Sequence, residues 1–139
     1  MSGEARQLDA VGSGPQGLHG AHGFTARQLT RIDEALTLSS RESGLTFSLY
    51  VGELADPSRA SAEALFDRLA ARVDAPVLVA VSPGQRLLQI VTGDVSARRV
   101  PNRSCALAAL SMRAAFASGD LTGGIVTGLR MLADAAGRP

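Results

Sequence analysis

Two spacings of hydrophobic residues alternate along the chain, and each change of spacing marks the boundary of a predicted element. After a glycine-rich stretch, apolar residues recur every three or four positions in a first segment: Leu29, Ile32, Ala35 and Leu36. This spacing predicts an amphipathic helix. Thr25 and Gln28 have capping-box spacing at its start, and Gly44 provides the expected stop at its end.

Strict alternation follows over residues 45–51, where leucine, phenylalanine and valine alternate with threonine, serine and tyrosine. This pattern predicts a first strand that faces the core mainly on one side. Asp56 and Pro57 then predict an N-cap and a first helical position. A second helix is expected over about residues 58–73, because its apolar residues again form one stripe: Ala62, Leu65, Phe66, Leu69 and Val73.

Two apolar runs around a turn form the centre of the predicted sheet. Val77–Val81 and Leu87–Val91 flank Ser82–Gln85, whose proline and glycine favour a hairpin turn. A strand, a helix and a strand in succession predict a right-handed unit with the first two strands parallel. The tight turn makes the third strand antiparallel to the second. The sheet is therefore mixed, and either the second or the third strand can neighbour the first.

Two more helices are predicted after a polar loop over Gly93–Pro101. Asn102 is expected to cap a third helix that continues to about Ser118. Its apolar residues surround the helix, which predicts that it is buried or packed against several neighbours. Asp120 is expected to cap a fourth helix that ends at Gly137.

These elements predict an α/β fold, namely a three-layer α/β/α sandwich with a small central mixed sheet flanked by about four helices. Gly123 and Gly124 would permit the fourth helix to pack closely against the third helix or the sheet. Residues 24–139 are expected to form a single domain after a glycine-rich tail, residues 1–23, that we expect to be disordered. His19 and His22 in that tail are either a weak metal clip or solvated side chains.

The composition is that of a globular protein and argues against several classes of function. Of the 139 residues, 45% are hydrophobic and 19% are charged, which suffices for a hydrophobic core. The formal net charge of +1 gives no electrostatic footprint for nucleic acid. The single cysteine, Cys105, cannot form an intrachain disulfide, which fits a reducing compartment. Neither a secretory signal nor an apolar run of membrane-spanning length is recognisable, so we expect a cytoplasmic protein without direct membrane insertion.

Four segments in combination resemble a known family. They are Val77–Arg86 (VLVAVSPGQR), Ile90–Gly93 (IVTG), Cys105–Ala108 (CALA) and Phe116–Leu121 (FASGDL). Through them the chain from about Phe24 to Pro139 is similar to the actinobacterial DUF5130 proteins, which look like compact relatives of the TPM domain. The resemblance implies an α/β/α sandwich with a small central sheet.

The resemblance also carries expectations about activity. The TPM family is linked to acid phosphatase activity, to divalent-metal binding and to the assembly or repair of membrane complexes. The resemblance implies that Asp74 is the acidic position before the second strand. Where the TPM pattern has Gly-Tyr-Gly followed by a glutamate, this chain has Gly93-Asp94-Val95-Ser96.

One end of the predicted sheet gathers the candidate site residues. Asp74 precedes the second strand and Asp94 follows the third, so both lie opposite the carboxyl ends of the parallel strands. Two carboxylates there could hold a hard divalent cation such as calcium or magnesium through oxygen ligands. Arg98, Arg99 and Arg103 follow in the sequence and could bind a phosphate or a carboxylate. The alternative is a solvated loop with surface salt bridges and helix caps.

No catalytic residue is predicted. Ser82 precedes a turn proline and lacks a nucleophile-elbow pattern, and Cys105 is expected to be a small buried hydrophobic residue. Thr122-Gly123-Gly124 lacks the lysine and the spacing of a phosphate-binding loop.

Three functions follow as hypotheses. The leading one is a non-enzymatic binding or adaptor module of the TPM-like type, whose protein partner belongs to an envelope or membrane complex. The second is a metal-dependent phosphatase for phosphomonoesters, which requires Asp74 and Asp94 to share a cation. The third is an anion or small-ligand binder that uses Arg98, Arg99 and Arg103.

Overall fold

The computed structural model describes residues 23–139, which fold around one small sheet. The elements in chain order are α1 (Ala26–Ser43), β1 (Thr46–Val51), α2 (Ser58–Ala70), β2 (Pro76–Ser82), β3 (Leu87–Thr92), α3 (Asp94–Arg99), α4 (Asn102–Ala117) and α5 (Leu121–Ala136). The predicted α/β class is confirmed, and this part of the chain holds five helices where about four were expected. The predictions for the tail and for His19 and His22 fall on residues outside this range. None of the helices described combines the length and the hydrophobicity needed to cross a bilayer.

The sheet has the order β1-β2-β3, so β2 is its central strand. β1 pairs with β2 in parallel, with Phe47 opposite Val77, and β3 pairs with β2 antiparallel, with Ile90 opposite Val79. The predicted hairpin is confirmed, and so is the predicted parallel direction of β1 and β2. The pairing also answers the question that the sequence left open, because β1 neighbours β2. β3 is consequently an edge strand of this sheet.

Helices cover both faces of the sheet, in two unequal layers. On one face, Leu49 and Val79 are fully buried in the larger core cluster, to which α1, α4 and α5 contribute. On the other face, Leu78 and Ala80 pack against Phe66 of α2. Within the larger layer, α5 contacts both α1 and α4, while α1 lies on β1 and α4 lies on β3. The central position in that layer therefore belongs to α5.

Local capping signals fixed helix ends where they were predicted. Thr25 Oγ1 accepts the N–H of Gln28 at 3.1 Å, and Gln28 Oε1 accepts the N–H of Thr25 at 2.9 Å. These reciprocal bonds form a capping box at the start of α1. Gly44 ends α1 in the left-handed region, with a φ of 79°. Asp120 Oδ1 accepts the N–H of Gly123 at 2.9 Å at the start of α5.

Two of the predicted caps were wrong. The N-cap positions of α2 and α4 belong to Pro57 and Pro101, whose backbones are extended with ψ values of 139° and 164°. Proline suits a helix entry because its φ is fixed. Since Pro57 takes the N-cap position of α2, Asp56 lies one residue before the cap. Asn102 is the first residue of α4 instead of its cap, and α2 ends at Ala70, earlier than predicted.

Candidate functional site

The short helix α3 occupies the candidate site, where the sequence predicted a polar loop. Ser96 explains this helix, because its Oγ accepts the N–H of Gly93 at 2.9 Å and donates to the carbonyl of Pro76 at 2.8 Å. Ser96 is fully buried, so the two bonds fix α3 against the start of β2. Gly93 lies against α2, since a Cβ there would be only 3.0 Å from Phe66 Cζ.

An open groove of about 330 Å³ lies between α2 and α3. Its lining is mainly apolar and includes Phe66, Ala75, Pro76 and Val95. Asp94 also lines the groove and is exposed to solvent. As the first residue of α3, its carboxylate interacts favourably with the dipole of the helix. A helix-end role thus accounts for this aspartate without a ligand.

The two predicted metal ligands lie near different strands, Asp74 beside β1 and Asp94 after β3, and these strands flank β2 on opposite sides. The carbonyl of Asp74 accepts the hydroxyl of Thr46 at 2.7 Å, which places the Asp74 backbone beside the start of β1. Asp94 instead follows β3. Within residues 23–139, no group of three or more histidine, cysteine, aspartate or glutamate side chains is placed to hold a metal ion. The metal site at Asp74 and Asp94 therefore stays a prediction, and it would need backbone or water oxygens to complete its coordination.

Arg99 has a structural role that the sequence did not indicate. Its guanidinium donates to four carbonyls, those of Ser43 at 2.9 Å, Ala136 at 3.1 Å, Gly137 at 3.2 Å and Arg138 at 3.1 Å. These carbonyls lie at or just beyond the C-terminal ends of α1 and α5, where acceptors lack intrahelical partners and cations are favoured. The guanidinium thus ties two helix ends together through Nε and Nη2. Anion binding by Arg99 stays a prediction.

The other two predicted anion-binding residues face solvent. Arg98 lies in the last turn of α3, and Arg103 lies in the first turn of α4. Both are exposed, so their guanidinium groups are accessible. Their role in anion binding stays a prediction.

At the carboxyl ends of the parallel strands, hydrogen bonds engage the polar side chains. Gln85 Oε1 accepts the N–H of Leu54 at 2.8 Å and the hydroxyl of Ser82, while Gln85 Nε2 donates to the carbonyl of Leu54 at 3.0 Å. These bonds join the loop after β1 to the turn after β2. Tyr50 Oη donates to the carbonyl of Glu53 at 2.8 Å. Burial raises the pKa of the Tyr50 hydroxyl, and the charge of Glu53 acts in the same direction.

Two arginines cover the free edge of β3. Arg59 of α2 donates from Nη1 to the carbonyl of Ile90 at 2.9 Å, and Arg113 of α4 donates from Nη2 to the carbonyl of Leu88 at 3.4 Å. Arg59 also pairs with Glu63 at 3.1 Å. An edge strand presents unpaired backbone groups that can template pairing with another chain. The two side chains reduce that tendency from opposite faces of the sheet.

The sequence predicted that α4 is buried or packed against several neighbours; the structure packs it against α5 and β3 and leaves one side exposed. The helix buries Ala108 and Met112, but it exposes 54% of Leu107 and 66% of Leu110. α4 lies at the end of its layer, so α5 covers one flank, β3 lies beneath it, and the opposite side is open. We call this open side the outer face of α4, and it comprises Arg103, Ala106, Leu107, Leu110, Ala114 and Ala117.

A sequence signal for the outer face was present. Leu107, Leu110, Ala114 and Ala117 recur at alternating spacings of three and four, on the side of the helix opposite Ala108 and Met112. Two apolar stripes on one helix indicate two sets of neighbours. The sequence could not show which of the two stripes the fold leaves exposed.

Solved structures with the same fold come from distant sequences. The BA42 protein from the psychrophilic bacterium Bizionia argentinensis has a TM-score of 0.73 at 15% identity and covers 83% of this chain and 82% of its own. The N-terminal domain of a P. gingivalis protein has a TM-score of 0.71 at 15% identity and covers 84% and 78%. The N-terminal domain of the cg2496 protein from Corynebacterium glutamicum has a TM-score of 0.68 at 10% identity and covers 86% and 77%. At these identities the matches show the fold alone.

Closer relatives and a family model place the chain in a family. Two uncharacterized proteins of Mycobacterium tuberculosis, MT2543 of strain CDC 1551 and Rv2468c of strain H37Rv, are each 31% identical over 109 residues. The match covers 78% of this chain and 65% of the length of each relative. The model described as "Domain of unknown function (DUF5130)" matches residues 7–133. The chain therefore belongs to the DUF5130 family.

Proposed function

We propose that the protein is a non-enzymatic binding or adaptor module of the TPM-like type, and that it contacts its protein partner through the outer face of α4. The observation that carries the proposal is the exposure of Leu107 and Leu110, the most exposed large hydrophobic side chains among residues 23–139. Fully burying a leucine contributes about 1.5–3 kcal/mol, so two adjacent leucines supply a useful share of a binding free energy. Their positions near the middle of α4 suit the centre of an interface.

The polar residues support binding over catalysis. At one end of the sheet, Ser96 and Arg99 bond to backbone groups of the fold. At the other end, Ser82 and Gln85 bond to each other and to a backbone segment. Side chains engaged in this way hold loops and helix ends in place, and the donors and acceptors they use for this purpose are occupied within the fold.

The kind of assembly follows from the family resemblance. TPM-like proteins are linked to the assembly or repair of membrane complexes, so the proposed partner is a protein of an envelope or membrane complex. In this scheme the chain acts from the cytoplasm and reaches the complex through that partner. The outer face of α4 gives the scheme a defined surface to test.

A comparison of three full-length proteins tests the proposal. Wild type, Leu107→Ser/Leu110→Ser and the control Leu38→Ser would each be used to recover proteins from a lysate of the native host. Leu38 lies on α1 and exposes 39% of its surface, so it matches the change in chemistry at another site. We expect proteins recovered by wild type and by Leu38→Ser to be lost with the double variant.

Circular dichroism and thermal unfolding would confirm that all three proteins are folded. If wild type recovers nothing above background, or if all three recover the same proteins, the outer face of α4 is not a binding surface. The proposal would then fail.

A further inference from the structure

We infer that the outer face of α4 binds an amphipathic helix of the partner protein whose flanks carry acidic side chains. The inference rests on the proposed function and adds the chemistry of the partner. Three features of the outer face point to it: the spacing of its apolar residues, the small size of several of them, and the sign of the charges beside it.

The spacing matches the seam between two packed helices. From Arg103 the outer face continues through Leu107, Leu110, Ala114 and Ala117, at intervals that alternate between four and three residues. This alternation keeps a stripe facing one straight or gently supercoiled partner helix along its length.

The size of the residues permits a close approach. Ala106, Ala114 and Ala117 have short side chains, so the two leucines of the outer face project beyond them. Helices pack with axes about 8–10 Å apart, and small residues allow the shorter distances. Leu107 and Leu110 would then enter holes between side chains of the partner helix.

The charges select an acidic partner. α4 contains Arg103 and Arg113 and has neither aspartate nor glutamate in its sequence. Arg113 lies ten positions after Arg103, which corresponds to about 15 Å along the helix axis. Both are exposed, although Arg113 also donates a long hydrogen bond to the carbonyl of Leu88. Carboxylates at a matching separation on the partner would pair with them and favour its alignment.

Two other occupants fit less well. In a second copy of this chain, α4 against α4 would bring Arg103 and Arg113 toward arginines in either orientation, without acidic side chains on the two helices to compensate. A bilayer surface would gain little, because two leucines and a few alanines provide a small area for insertion. A helix with acidic flanks satisfies both the apolar stripe and the arginines.

A peptide titration tests this partner chemistry directly. The probe is a synthetic helix of about 20 residues, which spans about 30 Å. It carries leucines at alternating spacings of three and four, with glutamates beside them. A matched peptide has lysines in place of the glutamates. Amide NMR shifts of the full chain would identify the residues that each peptide contacts.

We expect the glutamate peptide to shift the amides of α4 and to bind about threefold to tenfold more tightly than the lysine peptide at low salt. Salt should reduce the difference, since the ion pairs are exposed. Arg103→Glu/Arg113→Glu should reverse the preference, and Arg27→Glu on α1 should not change it. Equal binding of the two peptides, or shifts located away from α4, would overturn the inference.

Two further measurements address the other occupants. A concentration-dependent dimer by light scattering that Leu110→Ser abolishes would assign the face to a second copy. Binding to phosphatidylglycerol vesicles with the same sensitivity would assign it to a membrane. If cross-links from α4 to the natural partner end on a segment that is not an acidic helix, the inference fails while the proposed function stands. If the peptide binds as expected and the lysate comparison shows no role for Leu107 and Leu110, the proposed function fails instead.

Discussion

The helices α4 and α5 are adjacent and equally long, and both are rich in apolar residues, yet they differ sharply in burial. Each has 16 residues. α5 buries seven of them, including Ile125, Leu129 and Leu132, whereas α4 buries only Ala108 and Met112. The difference lies in their positions, because α5 has α1 and α4 on its two sides and α4 has a helical neighbour on one side only.

The comparison shows that the position of a helix in the fold contributes to its burial alongside its composition, since α5 is both the more hydrophobic and the more central of the two. Glycines contribute to the burial of α5, since Gly124 lies against Ala115 and Phe116 of α4. The side of α4 that meets α5 is therefore closely packed. The apolar character of its outer face has no such explanation within the described fold, and this exposure is the observation behind the proposed partner.

The largest expected effect comes from replacing one leucine by alanine in each of the two helices and comparing the losses of stability. Leu129→Ala should lower the free energy of unfolding by about 2–5 kcal/mol, because Leu129 is fully buried and its removal leaves a cavity. Leu110→Ala should change it by about 0.5 kcal/mol or less, because the side chain is mostly solvated. Urea denaturation of the two variants measures both values. Similar losses would mean that Leu110 is buried within the free protein.

Signals between near neighbours were predictable from the sequence. The capping box at Thr25 and Gln28, the stop at Gly44 and the cap at Asp120 each depend on residues a few positions apart. The hairpin of β2 and β3 likewise follows from two apolar runs around one turn. Such interactions are fixed by the chain itself, so the pattern identifies them.

Long-range interactions were not predictable, and they decide the candidate site. α3 was missed because the bond that fixes Ser96 reaches Pro76 from the other side of the hairpin. The structural role of Arg99 was missed because the sequence cannot show that the carbonyl of Ser43, 56 residues away, lies within its reach. The exposure of Leu107 and Leu110 depends on which helix takes the central position in the layer.

A smaller effect concerns the arginine that links α5 to α1. Arg99→Met should lower the free energy of unfolding by about 1.5–3 kcal/mol, because the carbonyls at the two helix ends lose a charged donor. Arg98→Met is the matched control, since Arg98 is exposed in the same turn, and it should cost about 0.5 kcal/mol or less. Chemical denaturation gives both values. Equal values for the two variants would remove the structural role of Arg99.

A substitution at Gly128 tests how closely α4 and α5 pack against each other. A Cβ at this position would overlap Sδ and Cγ of Met112, so Gly128→Ala should push α5 away from α4. Overpacking costs about 1–3 kcal/mol, and the better helix propensity of alanine offsets about 0.5–1 kcal/mol of that. Gly84→Ala, at a position with open space around it, should be nearly neutral in the same thermal unfolding measurement. If Gly128→Ala instead stabilises the protein, the space between α4 and α5 at this position is large enough for a methyl group.

The smallest effect tests whether the covered flank of α4 excludes water. Cys105 packs half-buried against the core on the covered side of α4, and burial raises the pKa of its thiol above the ordinary value of 9.0, against a smaller opposing effect of Arg59.

Because the folded protein holds this proton more tightly, the stability contributed by the thiol is complete below about pH 9 and falls as the pH rises through the folded pKa. Urea unfolding at several alkaline pH values should therefore show a steeper loss of stability for wild type than for Cys105→Ala. Tyr50 also has a raised pKa, but it remains in both proteins and acts equally on each. Identical pH dependence in the two proteins would mean that water reaches the thiol, so that both flanks of α4, and not only its outer face, differ from those of α5.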